Sequence, residues 1–186
     1  MKRIFDITVS GLVLIVLLPV TLAVALAVKL TSKGSVFHIS NRVGRGNRIF
    51  RMFKFRTMRV DTPHVATHLM TDPEKYLTPV GGFLRKTSLD ELPQLLNVLT
   101  GDMSLVGPRP ALFNQDDLVE LRTGKGIHQL VPGITGWAQI NGRDELPIPE
   151  KVELDAWYLA NRSFALDMLI LFRTFVNVIK RDGVSH

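Results

Sequence analysis

The chain has 186 residues, no cysteine and a formal net charge of +6, so disulfides and cysteine-based zinc sites are excluded. Its length allows one domain with a substantial core, and 46% of its residues are hydrophobic although 22% are charged. The excess of basic residues indicates an anionic partner, which would be nucleic acid, an anionic membrane surface or a phosphorylated substrate.

The N-terminal segment is predicted to lie in a membrane. The run from Ile7 to Val28 contains no charged residue, and as a straight helix it would extend roughly 33 Å, enough to cross a bilayer. The run is long for a signal peptide, and the sequence KLTSKGS that follows it offers no small-x-small cleavage site. We therefore expect residues 1–30 to form a membrane segment and residues 31–186 to form a separate domain.

Two features bear on whether this segment spans the membrane or re-enters it. Pro19 lies near the middle of the run, where proline kinks or breaks a helix. Lys2 and Arg3 precede the run, and nine Lys or Arg residues with no acidic residue lie between Lys29 and Arg59. The positive-inside rule would keep both flanks cytoplasmic, which a helix–break–helix hairpin satisfies and a spanning helix does not. The charge pattern alone leaves both a kinked spanning anchor and a hairpin open.

A basic stretch, NRVGRGNRIFRMFKFRTMR, follows the membrane segment. Gly44 and Gly46 indicate a turn, and the alternation in FKFR predicts a strand that carries Lys54 and Arg56 on one basic face. Such a stretch binds anionic membrane lipids, or it forms one side of a diphosphate-binding site. Nucleic acid is the least favoured partner, because a membrane segment lies directly beside the stretch.

Residues 60–82 are predicted to form a loop, because they contain three prolines and a glycine pair with little periodicity. His64 and His68 have the i, i+4 spacing of two metal ligands on a helix. No third ligand is near in the sequence and the helix signal is poor, so a metal site is disfavoured here.

The segment RKTSLDELP places two carboxylates, Asp90 and Glu91, side by side. In a purely structural interpretation, Ser88 and Glu91 form a capping box, or Asp90 is the N-cap of a helix with Pro93 in its first turn. Either helix would end near Gly101.

The same placement also suits catalysis. A helix N-terminus attracts phosphate groups, and Arg85 just upstream can bind a phosphate through two N–H groups. A carboxylate pair together with a diphosphate can hold Mg²⁺, and an aspartate can attack a phosphoryl group. The spacing alone leaves capping and catalysis open.

Longer motifs help to decide between capping and catalysis for Asp90 and Glu91. SLDELPQLLNVLTGDMSLVGPRP (88–110) closely resembles the signature of the bacterial sugar transferases, the monotopic phosphoglycosyl transferases. The resemblance continues through KFRTM (54–58), VPGITGWAQINGR (131–143) and LDMLILFRTFVNVIKRDGVS (166–185), and so covers nearly the whole chain. It implies an α/β fold that is mostly helical with a small β element, an N-terminal re-entrant helix–break–helix, and a cytoplasmic catalytic domain at the bacterial inner membrane.

The resemblance also implies an activity. Family members transfer a phosphosugar from a UDP-sugar to polyprenol phosphate, releasing UMP, as the first membrane step in building glycans or glycoproteins. They work with Mg²⁺ by a two-step, ping-pong route. Carried onto this chain, Asp90 is the nucleophile that holds the phosphosugar, and Glu91 helps with the metal and with activating the acceptor. Both are expected metal ligands, and the expected phosphate- or substrate-binding residues are Lys54, Arg56, Arg85, Arg109 and Arg143.

Two further expectations concern the two ends of the chain. The family breaks its membrane helix near a proline, often after serine, and here the pair is Leu18–Pro19, which lacks that hydroxyl. The chain begins almost directly at this segment, so we expect a small form of the enzyme, with possible homo-oligomers. Residues 149–181 are predicted to form two helices that divide near Asn161–Ser163, and the second is either a core helix or an interfacial one.

Overall fold

The computed structural model describes residues 1–62, 72–142 and 146–180. As expected, the fold is mostly helical, with two small two-stranded sheets. The helices are α1 (Lys2–Val16), α2 (Leu18–Thr31), α3 (Gly81–Lys86), α4 (Gln94–Thr100), α5 (Asp116–Gly124), α6 (Trp137–Ile140), α7 (Ile148–Asn161) and α8 (Phe164–Lys180). The strands are β1 (Phe37–Val43), β2 (Ile49–Phe55), β3 (Ser104–Val106) and β4 (Gly133–Thr135).

Helices α1 and α2 form a bent pair, and the chain changes direction by 65° at Leu17. Pro19 lies in the first turn of α2, where its missing N–H interrupts no helical hydrogen bond. Thr21 Oγ1 donates a hydrogen bond of 2.8 Å to the Leu17 carbonyl, which also accepts the Thr21 amide at 2.8 Å. In the part of the chain that the structure describes, no single helix is long and apolar enough to cross a bilayer, and this bent pair meets that requirement by length and composition.

The first turns of α1 are fixed to the rest of the fold by polar contacts. The buried Asp6 carboxylate accepts a hydrogen bond of 2.7 Å from Ser104 Oγ at the start of β3. Lys2 Nζ lies 2.6 Å from the buried Asp167 carboxylate of α8, and the Arg3 guanidinium donates to the last carbonyls of α4. The N-terminal half of α1 therefore packs as part of the domain, and its polar residues Lys2, Arg3 and Asp6 have structural contacts there.

Strands β1 and β2 pair antiparallel, with His38 opposite Lys54. The predicted turn between them is confirmed, since Gly46 adopts a positive φ of 64° there. Asn97 of α4 is fully buried and fastens this hairpin to the helix: its Nδ2 donates to the Arg51 carbonyl at 2.8 Å and its Oδ1 accepts from the Phe53 amide at 3.1 Å. One amide side chain thus holds β2 and α4 in register.

Two apolar clusters form the core. The larger one lies between α1, α4, β3, α5, α7 and α8, and its fully buried members include Val98, Met103, Ile127 and Ile170. The smaller one joins α2 to the end of β2 and to α3 through Val24, Val28, Phe55 and Leu84.

The predicted division of the C-terminal helices is confirmed, because α7 ends at Asn161 and α8 begins at Phe164. Both interpretations of α8 have support in its burial. Ile170 is fully buried in the core, whereas Phe172 and Phe175 are 65% and 64% exposed on the outer face. Helices α1 and α2 also expose large apolar side chains, among them Ile4, Leu12 and Leu22.

Candidate active site

Asp90 and Glu91 lie in a short 3₁₀ turn, Leu89–Glu91, that leads into α4. The predicted capping box is wrong, and so is Asp90 as an N-cap: the N-cap position of α4 is Pro93, and Ser88 makes no side-chain capping bond. The reason is the backbone of Ser88, which adopts a left-handed conformation with φ 55°, whereas a capping serine needs an extended one. The predicted helix end is confirmed at Gly101, with φ 98°.

Glu91 is held by two cations from distant segments. Lys54 Nζ from β2 lies 2.6 Å from Glu91 Oε1, and Arg109 Nη2 from the loop after β3 lies 3.3 Å from the same oxygen. Burial raises the pKa of Glu91, but the charges and hydrogen bonds of Lys54 and Arg109 outweigh it and lower the pKa to about 2. Glu91 is therefore a fixed anion throughout the physiological pH range.

Asp90 has a different environment although it is the adjacent residue. Its side chain is almost fully buried, and this desolvation raises its pKa to about 6 against the attraction of Lys54, Arg85 and Arg109. The described residues donate no hydrogen bond to its carboxylate. At neutral pH Asp90 is a mostly ionised, poorly solvated carboxylate, which is the state that a nucleophile needs.

Arg85 of α3 is the third cation of the site. Its Nε donates a hydrogen bond of 3.0 Å to Thr57 Oγ1, and its charge interacts with Asp90. Burial lowers the pKa of Arg85, and the nearby Asp90 carboxylate opposes that effect. Three cations, Lys54, Arg85 and Arg109, thus surround two carboxylates, which favours binding of a further anionic group.

Arg56, another predicted phosphate ligand, makes its hydrogen bond outside this cluster. The Arg56 guanidinium donates to the carbonyl of Lys33 at 3.3 Å, beside Gly34 and shortly after the end of α2. Its role in phosphate binding stays a prediction. Arg143 lies outside the described residues, as do His64 and His68.

The carboxylate pair fits Mg²⁺ in its donor chemistry. Across residues 1–62, 72–142 and 146–180, no group of three or more His, Cys, Asp or Glu side chains could enclose a metal by itself. Mg²⁺ needs only one or two carboxylates where substrate phosphates supply further oxygens. Asp90 keeps both carboxylate oxygens unbonded among the described residues, and Glu91 receives both of its cations at Oε1.

Three buried residues at the site were missed in the sequence. Thr57 holds Arg85, Asn97 holds β2 against α4, and Gln94 lies one turn after Asp90 with its Nε2 buried and without a partner. All three lie inside the motifs KFRTM and SLDELPQLLNVLTG, and this was the one feature of the sequence that could have identified them as site residues. Their uncharged side chains gave no reason to single them out.

Several known proteins are similar to this chain. An uncharacterized sugar transferase of Bacillus subtilis is 44% identical, over 100% of this chain and 91% of the relative. The UDP-glucose:undecaprenyl-phosphate glucose-1-phosphate transferase of Escherichia coli is 44% identical, over 95% of this chain and 40% of the relative. The undecaprenyl-phosphate galactose phosphotransferase of Salmonella typhimurium is 39% identical, over 98% of this chain and 41% of the relative.

The chain therefore spans most of the Bacillus relative and about two fifths of the two named phosphotransferases. The match with the bacterial sugar transferases extends over residues 1–181. The resemblance found in the sequence motifs and the transferase class expected from it are confirmed, and the chain belongs to the bacterial sugar transferase family.

Proposed function

We propose that the protein transfers a phosphosugar from a UDP-sugar to polyprenol phosphate, giving polyprenol diphosphate sugar and UMP. The observation that carries this proposal is the carboxylate pair of buried Asp90 and half-buried Glu91 inside a cluster of three cations. The names of the Escherichia coli and Salmonella relatives supply the donor and acceptor classes. The product would serve as the lipid-linked starting unit of a glycan or glycoprotein.

In the first step, an Asp90 oxygen attacks the β-phosphorus of the donor. A bond forms between that oxygen and phosphorus, the bond from phosphorus to the bridging oxygen breaks, and UMP leaves with the electron pair. Lys54, Arg85 and Arg109 are placed to stabilise the charge that develops on the phosphate oxygens. The result is an aspartyl phosphosugar.

In the second step, a phosphate oxygen of the polyprenol phosphate attacks the same phosphorus. The bond from Asp90 to phosphorus breaks and the carboxylate is regenerated, so the two substrates need not occupy the site together. The low pKa of Glu91, about 2, makes it a weak base. We therefore assign Glu91 to fixing Lys54 and Arg109 and to holding the metal, in preference to taking a proton from the acceptor.

Mg²⁺ is proposed as the cofactor, held by Asp90 and Glu91 together with donor oxygens, and when bound it would neutralise charge on the diphosphate. The chain's own cations act on the same charge. The two carboxylates are therefore expected to contribute to donor binding only when Mg²⁺ is supplied. The three cations are expected to contribute with or without Mg²⁺.

We further propose that α1 and α2 re-enter the cytoplasmic leaflet of the bacterial inner membrane. The 65° bend and the basic residues on both flanks support this topology, and anionic lipids would attract the basic flank. Cysteines placed singly at Met1 and Ser185 in this cysteine-free chain provide the test. Labelling of both from the cytoplasmic side is expected, and labelling from opposite sides would exclude the hairpin.

The activity is tested with purified protein, Mg²⁺, polyprenol phosphate and a panel of UDP-sugars, with UMP release as the readout. One donor is expected to release UMP and to label the lipid. Without acceptor, a donor labelled in its β-phosphate should leave label on the protein at up to one equivalent, and Asp90→Asn should abolish it. Turnover by Asp90→Asn would exclude Asp90 as the nucleophile, and continued sugar phosphate release without lipid would indicate a hydrolase.

A further inference from the structure

The hydroxyl of Thr57 makes a specific contact with a cation of the site. Thr57 lies two residues beyond the end of β2 and is 6% exposed. Its Oγ1 accepts the hydrogen bond from Arg85 Nε at 3.0 Å. The contact joins two segments that are 28 residues apart in the chain.

The backbone of Thr57 is itself tightly fixed. Its carbonyl accepts hydrogen bonds from the amide of Thr78 at 2.9 Å and from Thr78 Oγ1 at 3.3 Å. Gly81, the first residue of α3, packs so closely that a Cβ added there would lie 2.1 Å from the Thr57 oxygen. Helix α3 is therefore docked on Thr57 at its first residue and, through the side chain of Arg85, near its last turn.

This arrangement determines how the guanidinium of Arg85 can act. A guanidinium has five N–H groups, and Thr57 uses the one on Nε. The two terminal nitrogens keep the paired N–H groups that bind two oxygens of a phosphate at once. Because a long side chain loses rotamer freedom when it binds, fixing Nε in advance lowers the entropy cost of presenting that pair.

We propose that Thr57 is a positioning residue for the donor: it orients Arg85 so that its terminal N–H groups bind the diphosphate beside Asp90. This inference rests on the proposed function, in which a nucleoside diphosphate is the donor. It assigns no chemistry to Thr57 itself, which acts through Arg85.

The test compares Thr57→Val, which keeps the shape and removes the acceptor oxygen, with Thr57→Ser, which keeps that oxygen. Thr57→Val is expected to raise the donor KM by about 10- to 100-fold, the effect of losing one hydrogen bond to a charged group, with a smaller change in kcat. Thr57→Ser should stay within about twofold of the wild type by the same reasoning. Equal impairment of the two variants would overturn the proposal.

Thr78→Val is the matched control. Thr78 is also a buried threonine of this contact, but its hydroxyl donates to the Thr57 carbonyl and not to Arg85. Its donor KM should remain near that of the wild type, and thermal unfolding of all variants reports any general damage. A rise in KM for Thr78→Val as large as that for Thr57→Val would overturn the proposal.

A double-mutant cycle separates positioning from structural damage. In an Arg85→Ala background, Thr57→Val should have no further effect on donor KM, because the group that it orients is gone. Additive effects would show that Thr57 acts by another route.

Binding of inorganic pyrophosphate, measured by calorimetry, gives a readout independent of turnover. Thr57→Val should weaken it by a similar factor, while Thr57→Ser and Thr78→Val should not. If the wild type binds pyrophosphate in this pattern but releases no UMP from any UDP-sugar, the proposed function fails and the role of Thr57 stands. Unchanged pyrophosphate binding in Thr57→Val would overturn the role of Thr57.

Discussion

Lys54 Nζ and Glu91 Oε1 lie 2.6 Å apart, although 37 residues separate them in the chain. Lys54 is the penultimate residue of β2, and Glu91 ends the turn that leads into α4. Asn97 fixes the register of those two elements by bonding to the backbone of β2 on either side of Met52. The buried amide of Asn97 therefore helps to bring the two charges together.

The charge of Lys54 should influence the acid limb of the pH profile, which is the pH range in which donor kcat/KM rises. Burial raises the pKa of Asp90 to about 6 and Lys54 opposes the rise, so donor kcat/KM should increase with pH through about 6 as Asp90 ionises. Lys54→Met removes an attraction for the ionised form, so the pKa of Asp90 should rise further and the limb should move up by about one pH unit. The measurement is the pH profile of kcat/KM for UMP release.

Lys54→Arg is the control for this experiment, because it keeps the charge although its geometry differs. The acid limb of its kcat/KM profile should lie at nearly the same pH as that of the wild type even if its rate falls. A limb that stays at the same pH in Lys54→Met would show that Lys54 has no influence on Asp90.

Replacing the two carboxylates should change stability in opposite directions. The pKa of Asp90 is raised to about 6, so the folded state binds the proton more tightly than the unfolded state, and stability falls as pH rises from about 4 through 6. At pH 7.5 the raised pKa lowers the free energy of unfolding by at most about 3 kcal/mol. Asp90→Asn should recover part of this stability while abolishing turnover. Its Tm should exceed that of the wild type.

Glu91→Gln should have the opposite effect. The pKa of Glu91 is lowered to about 2, so its ionised form stabilises the fold above its ordinary pKa, and this stability is lost as pH falls towards 2. Removing the charge should cost up to about 3 kcal/mol at pH 7.5. At pH 4.5 the advantage of Asp90→Asn should shrink and the loss in Glu91→Gln should persist. Matching shifts in the two variants at both pH values would contradict these assignments.

The elements whose formation depends on local sequence could be predicted. Pro19 located the break between α1 and α2 within two residues, and Gly44 and Gly46 located the turn between β1 and β2. The two C-terminal helices and the end of α4 at Gly101 were also predictable, because the residues next to a helix terminus largely determine where the helix ends.

The geometry of the site depends on contacts between distant segments, and no local pattern reports those. Lys54 and Arg56 looked equivalent in the alternating motif FKFR, but β2 ends at Phe55, so the alternation ends there and Arg56 reaches Lys33. Ser88 had the sequence of a cap, yet its backbone takes a left-handed conformation where α3 turns into the site. The motif match, not the residue pattern, supplied the catalytic assignment of Asp90.

Helix α2 should support the active site directly. Val28 of α2 is fully buried against Phe55 and Leu84, the neighbours in sequence of Lys54 and Arg85. Val28→Ala should lower the free energy of unfolding by about 2 kcal/mol through lost burial and a residual cavity, and it should lower kcat. Thermal unfolding and UMP release in the same detergent measure both effects.

Leu26→Ala is the matched change on the same helix, since Leu26 is 59% exposed on the outer face. It should leave stability in detergent and kcat nearly unchanged. If both substitutions were equally harmless, α2 would serve only as an anchor.

The close packing behind Arg109 should tolerate no side chain at Gly133. A Cβ on Gly133 would lie 2.1 Å from the amide nitrogen of Gly107, and the two glycines hold β3 and β4 together just before Arg109. Separating the strands would also break the hydrogen bond from the Gly133 amide to the Pro108 carbonyl, 2.9 Å long. Gly133→Ala should therefore destabilise the protein by more than about 3 kcal/mol and displace the cation that contacts Glu91.

Gly124 provides the comparison, because it lies in α5 and a Cβ there would meet no atom within 4 Å. Gly124→Ala should be neutral or should stabilise the protein by up to about 1 kcal/mol, since alanine loses less backbone entropy than glycine when a helix forms. Thermal unfolding of the pair measures this difference. A Gly133→Ala protein that unfolds at the wild-type temperature would show that β3 and β4 can move apart without loss, and Arg109 would then be free of the constraint assigned to it.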